Sequence, residues 1–153
     1  GKQIRNVLDK NQQLLPLPLQ ELFAQDRKEH LEKTINPALQ KNTWVVCDRY
    51  AFSSFAFGGA SGAKLEELIA LHSEFLLPDS TFLLKARPQV CMERIVKRGN
   101  PFTLFEEERK MQHIWEVYET LPAKFPNMHI IDAEQPIGKV AQDIWQIISQ
   151  QLD

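Results

Sequence analysis

The chain has 153 residues, 43% hydrophobic and 25% charged, with a net charge of −2. That length supports one domain with a sizeable core, and the balance is ordinary for a soluble globular protein. The near-neutral charge excludes a sequence-wide basic field for nucleic acid or membrane, although a local cluster would still hold a polyanionic substrate.

No run of about 18 apolar residues exists, so no membrane span is expected, and no charged start leads into an apolar block, so no signal peptide is visible. Cys47 and Cys91 lie in apolar runs. They are expected to be buried free thiols rather than a disulfide framework, which fits a reducing compartment.

In chain order, Leu14–Leu19 alternates leucine and proline. Each proline biases its predecessor away from helical angles, so the segment is expected to enter a helix in extended form. A long helix is expected over about 19–41, kinked or interrupted at Pro37. Thr43–Cys47 is a short apolar run ending in Asp48 and Arg49, the pattern of a buried parallel strand. Residues 53–59 are rich in small side chains and predict a loop, followed by helix over about 61–77. Thr81–Lys85 and Met128–Ile131 read as two further strands. Helices are expected from Pro88 to about Arg98, from about Glu106 to Leu121, and from Pro136 onward. The last would carry Ile137, Val140, Ala141, Ile144 and Ile148 on one face.

Strands alternating with helices define an α/β class with a parallel sheet and helices on both faces. Ligands of such sheets sit off the carboxyl ends of the strands, where Asp48-Arg49 and Asp132-Ala133 fall. Asp79-Ser80 precedes its strand and belongs to the opposite edge.

Phe23 and Arg27 are four apart on a helix and share a face. Arg27 interrupts an apolar row of Phe23, Leu31 and Ile35. It is either a solvated surface charge or part of a cleft where a ring stacks on a flat base and a guanidinium donates to a carbonyl. Asp48 at a strand end suits Mg²⁺, directly or through water, and Arg49 suits a phosphate held by two hydrogen bonds; the alternative is a pair of ordinary surface charges.

Ser53, Ser54, Phe57, Gly58 and Gly59 form either a plain turn or a wall against a phosphate or sugar. Arg94, Lys97 and Arg98 either compensate a helix dipole or belong to a lid that neutralises charge in phosphoryl transfer. His30, His72, His113 and His129 lack metal-ligand spacing and read as structural.

Taken together, these segments resemble the thymidylate kinase family. Residues 1–5 resemble the stretch after that family's second strand, and 22–27 its base-binding helix. Residues 35–39 and above all 44–57 resemble its central signature, while 78–81 and 130–133 follow in order. The resemblance implies a single kinase-like domain over 1–153 with a short lid over 99–105. It implies transfer of the ATP γ-phosphate to dTMP, giving dTDP.

Phe23 would stack on thymine and Arg27 would bond its O4, while Ser53, Ser54 and Phe57 would line the nucleotide pocket. Asp48 would serve Mg²⁺ and Arg49 the phosphate. Arg94 and Arg98 would sit at the base of the lid near ATP, and Asp132 and Ala133 would border adenine. ATP and Mg²⁺ are the implied cosubstrate and cofactor, and the implied location is cytoplasmic. The family is commonly dimeric, and the helix within 60–77 would supply an apolar face.

Departures accompany the matches. No Gly-x-x-x-x-Gly-Lys-Ser/Thr occurs in the 153 residues, so the loop that cradles ATP phosphates is expected upstream, within about 40–50 further residues. The family's acidic-arginine-proline segment is absent, and the stretch over 100–106 lacks the lid arginine. Lys85 stands where an acid is usual. In the family's fold the first strand lies between the run ending at Asp48 and Thr81–Lys85. Without it two strand edges are expected to lack partners. A non-catalytic dTMP-binding module or inactive kinase homologue is the alternative function.

Overall fold

Two prolines open the first helix, because the first turn needs no backbone donors. In the computed structural model, which describes Ile4, residues 15–99 and residues 104–151 (104–108 by backbone alone), this helix, α1, spans Pro16–His30. It begins before the expected position, as Pro16 and Pro18 both tolerate helical geometry there. The chain divides after Leu77 into two compact units, and each is described by itself.

In the first unit, α1 runs into a π-helical turn, Leu31–Ile35, and then the short helix α2, Asn36–Leu39. The interruption expected at Pro37 is therefore present. Pro37 has no N–H to give to the fourth carbonyl back and its ring crowds that carbonyl. The turn before it widens instead, and the Asn36 N–H bonds to the Leu31 carbonyl five residues back.

Thr43–Cys47 departs from expectation. It forms no strand among the described residues, Trp44 is 68% and Val46 94% exposed, and Cys47 is exposed rather than buried. An apolar run becomes a strand only when a neighbouring backbone completes its ladder, and no such neighbour is present among the described residues.

Residues 53–59 are helical rather than a loop. They lie in α3, Ala51–Ala60, which is followed by α4, Leu65–Leu71. The helix expected over 61–77 is thus confined to seven residues, because Gly62 takes φ 101 and breaks the run between α3 and α4. α3 packs on α1 and α4. Gly58 makes the close approach feasible: a Cβ there would lie 3.0 Å from both Gln20 Cγ and Leu68 Cδ1. The core of this unit contains Ala24, Leu31, Ile35, Phe52, Phe55, Ala56 and Leu68. Leu68 is fully buried, so Leu68→Ala is expected to cost about 2–5 kcal/mol in a urea titration followed by circular dichroism.

The second unit contains β1 (Thr81–Lys85), α5 (Pro88–Lys97), α6 (Leu104–Thr120), a 3-10 turn (Leu121–Ala123), β2 (Met128–Asp132) and α7 (Ile137–Ser149). β1 and β2 pair in parallel, with Thr81 opposite Met128 and Lys85 opposite Asp132. The expected α/β class with parallel pairing is borne out, and the proline-started helices fall where expected. Leu83, Met92, Ile114, Leu121 and Ile131 form the core. α7 buries no residue fully, and Ile137 is 89% exposed, so the expected apolar stripe is only partly covered among the described residues. No helix among the described residues is long and apolar enough to cross a membrane.

Candidate functional site

Arg27 lies one turn after Phe23 on α1, and both are half-buried. One guanidinium nitrogen, Nη1, donates to Ser54 Oγ at 3.3 Å and lies 2.8 Å from His72 Nε2. The guanidinium carbon sits 5.2 Å from the centre of the Tyr50 ring, within cation–π range. Burial lowers the pKa of Arg27 from its ordinary value, partly offset by Tyr50 and Asp26. An arginine so enclosed remains charged and is not a solvated surface residue.

The surroundings of Arg27 are themselves fixed. Tyr50 donates its hydroxyl to the Leu76 carbonyl at 2.8 Å, and burial raises its pKa. Ser54 is 4% exposed on α3. His72 is equally buried, and its Nδ1 lies 2.8 Å from the Leu68 carbonyl. Phe55 and Phe75 meet the His72 ring edge-on, each at 5.3 Å between centres.

Arg49 is adjacent to Tyr50 in the chain, and its guanidinium carbon lies 5.0 Å from the centre of the Phe57 ring. Its backbone is left-handed, φ 68, which a non-glycine residue adopts at some cost. Asp48 precedes it and is exposed. The sequence-predicted residues thus form two connected groups in this unit. Arg27 meets Ser54, while Arg49 meets Phe57, and Tyr50 joins the groups through the chain. Ser53 lies on α3. Tyr50 and His72 complete the arginine's enclosure. His72, read from sequence as merely structural, lies 45 residues from Arg27, a separation that no local pattern reports.

In the second unit, Arg94 Nη2 donates to the Ala133 carbonyl at 2.9 Å, and the Ala133 N–H bonds to the Lys85 carbonyl at 2.7 Å. Asp132 ends β2 as expected, and its Oδ1 accepts the Glu134 N–H at 2.9 Å. Arg98 caps the C-terminus of α5 and is exposed. Lys85 pairs with Glu119 at 3.0 Å and lies over the Trp115 ring. Most of the expected lid, 100–103, is outside the described residues, as are residues 1–5 apart from Ile4.

Sequence reading also missed a bidentate ion pair of this unit. Arg87 places Nε and Nη2 on the two oxygens of Glu134 at 2.7–2.9 Å, and its backbone N–H reaches Oε1 at 2.6 Å. The pair ties the residue before α5 to the loop after β2. Hydrogen bonds from Arg87 pull the Glu134 pKa down from 4.5 to about 2. A lowered carboxylate pKa means the unfolded chain binds the proton first. The stabilisation is therefore present above pH 4.5 and lost as pH falls toward 2. Glu134→Gln is expected to flatten the melting temperature's dependence on pH across that interval, read by differential scanning calorimetry.

A family model described as thymidylate kinase matches residues 1–144. A thymidylate kinase of Desulfotalea psychrophila is 34% identical over 149 residues, covering 97% of this chain and 70% of that protein. One from Brachyspira hyodysenteriae is 32% identical over 130 residues, covering 84% and 63%. The chain thus spans about two thirds of the length of the curated relatives it matches. With the family match covering almost all of its residues, the chain belongs to the thymidylate kinase family.

Proposed function

We propose that this chain supplies the monophosphate-binding side of a dTMP kinase, in which the γ-phosphate of ATP is transferred to dTMP. The supporting observation is the enclosed Arg27, held by Ser54, His72 and Tyr50 one turn from Phe23. A guanidinium so fixed presents donors without acceptors. It therefore favours a carbonyl at the base's position 4, as in thymine or uracil, over the amino group of cytosine.

In this reading Phe23 stacks on the base and Arg27 donates to O4. Ser53, Ser54 and Phe57 line the nucleotide pocket. Arg49 binds the dTMP phosphate or the group in flight. A dTMP phosphate oxygen attacks the γ-phosphorus in line; the bond from that phosphorus to the β–γ bridging oxygen breaks, and ADP departs with the electron pair. Catalysis rests on positioning and charge neutralisation.

The donor set fits Mg²⁺ in a limited way. Among the described residues no group of three or more His, Cys, Asp or Glu is arranged for a metal. Asp48 offers one exposed carboxylate, as suits an ion that keeps waters and takes phosphate oxygens. When bound, Mg²⁺ would neutralise phosphate charge. Arg94 and Arg98 are assigned to the ATP side, Asp132 and Ala133 to the border of adenine, and the cytoplasm is the proposed location. The test is dTDP formation from ATP and dTMP by the complete protein carrying this chain together with a phosphate-binding loop. Turnover with dTMP supports the reading; dTMP binding without turnover under any condition contradicts it.

A further inference from the structure

His72 is the one buried histidine among the described residues, and both its ring nitrogens have partners, one of them Arg27. Nδ1 lies 2.8 Å from the Leu68 carbonyl, which only accepts, so Nδ1 carries the proton. Nε2 then presents a lone pair to Arg27 Nη1 at 2.8 Å. The ring is wedged between Phe55 and Phe75, so its orientation is set by packing as well as by hydrogen bonding. A helix-borne arginine is long and has many rotamers. Here one of its arms is anchored to Nε2 and Ser54 Oγ, and its plane is backed by Tyr50.

Resting on the dTMP reading above, we propose that His72, as a neutral acceptor, is a positioning residue that aims Arg27 at the pyrimidine and so sets discrimination at the base's position 4. Protonating Nε2 would set two N–H donors and two positive charges against each other, releasing Arg27. From α1 the charged group facing His72 is Arg27. From α3 comes the uncharged Phe55, with Ser54 bound to the same Arg27 nitrogen, and from α4 the Leu68 carbonyl. Tyr50 faces Arg27, and Glu67 and Glu74 are exposed, with Glu67 beside Lys64. Asp26, exposed on α1, attracts Arg27, so acid is expected to loosen the Arg27–His72 contact against only a solvent-screened carboxylate. Burial already lowers the His72 pKa from 6.5, with the Leu68 carbonyl opposing and Arg27 adding to the fall.

The test compares His72→Gln, whose amide oxygen can replace the Nε2 acceptor, with His72→Leu, which fills the space without one, in the complete protein. Arg27→Ala and the Arg27→Ala/His72→Leu double variant complete the set. His72→Leu is expected to raise KM for dTMP about tenfold, with kcat and KM for ATP unchanged. His72→Gln should stay within about twofold, and the double variant should be no worse than Arg27→Ala.

As pH falls below the ordinary histidine value of 6.5 and toward the lowered pKa of His72, the wild-type to His72→Gln ratio of KM for dTMP should rise, a comparison that cancels the titration of the nucleotide phosphate, whose second pKa is about 6. If His72→Leu does not fold, this ratio decides alone. A wild-type KM for His72→Leu, additive effects in the double variant, or a flat ratio overturns the assignment of His72 while leaving Arg27 in place. Unchanged dTMP affinity in Arg27→Ala removes the base-binding reading itself, and His72's role with it.

Discussion

Replacing Arg27 by alanine is expected to weaken dTMP binding about 10- to 100-fold by calorimetric titration, and to narrow the preference for dTMP over dCMP. The magnitude follows from losing a charge-assisted hydrogen bond, about 1.5–3 kcal/mol, inside a site that excludes much of the competing water. Arg27 is half-buried and held on one side by Ser54 and His72, so little of its rotamer entropy remains to be lost on binding. Arg27→Lys is expected to recover only part of the loss. An ammonium keeps the charge but lacks the planar fork and its stacking on the Tyr50 ring. Equal dTMP affinity in wild type and Arg27→Ala would refute the assignment.

Arg49→Gly is expected to act in opposite directions on stability and on turnover. Glycine takes φ 68 without steric cost, so thermal stability should stay level or rise by up to about 1 kcal/mol. The guanidinium that lies over Phe57 disappears with the substitution. If it binds the phosphate or the group in flight, kcat should fall about 10²–10³-fold, the scale seen when one electrostatic contact to a transition state is removed. Steady-state kinetics on the complete protein, paired with a melting curve, read both effects. Such a split is the expected signature of backbone strain retained at a functional position. A stabilised variant with full activity would show that the strained backbone serves some other purpose.

The parts of this fold legible from sequence were those dictated by local backbone chemistry. Pro37, Pro88 and Pro136 each stand at or beside a helix start as expected, because a missing donor and a fixed φ act on adjacent residues, whereas Pro16 opens a helix where an extended entry was expected. The two strands among the described residues carry the expected apolar runs. Thr43–Cys47 carries one as well, yet stays unpaired and exposed among the described residues. Apolar composition records that a strand would be buried if paired, and it holds no information about whether a partner backbone is there. The stretch from Ser53 to Gly59 misled for a different reason. Glycines suggested a loop through their conformational freedom, whereas Gly58 serves by its small size against Gln20 and Leu68 within a helix.

The candidate site divides along the same line. Phe23 and Arg27 follow from the four-residue spacing of one helix, and Arg49 and Phe57 from one short segment. His72 enters from a second helix end, and its value depends on which ring nitrogen faces Leu68 and which faces Arg27. That is a matter of tertiary geometry, so a search for metal-ligand spacing had no means of finding it. The bidentate Arg87–Glu134 pair, from two loops 47 residues apart, escaped for the same reason.

The most direct measurement is a crystal structure of the complete protein with dTMP bound. The expected result is thymine stacked on Phe23, its O4 within hydrogen-bonding distance of Arg27, and its phosphate at Arg49. A nucleotide bound elsewhere, or one whose base edge turns away from Arg27, would contradict the assignment.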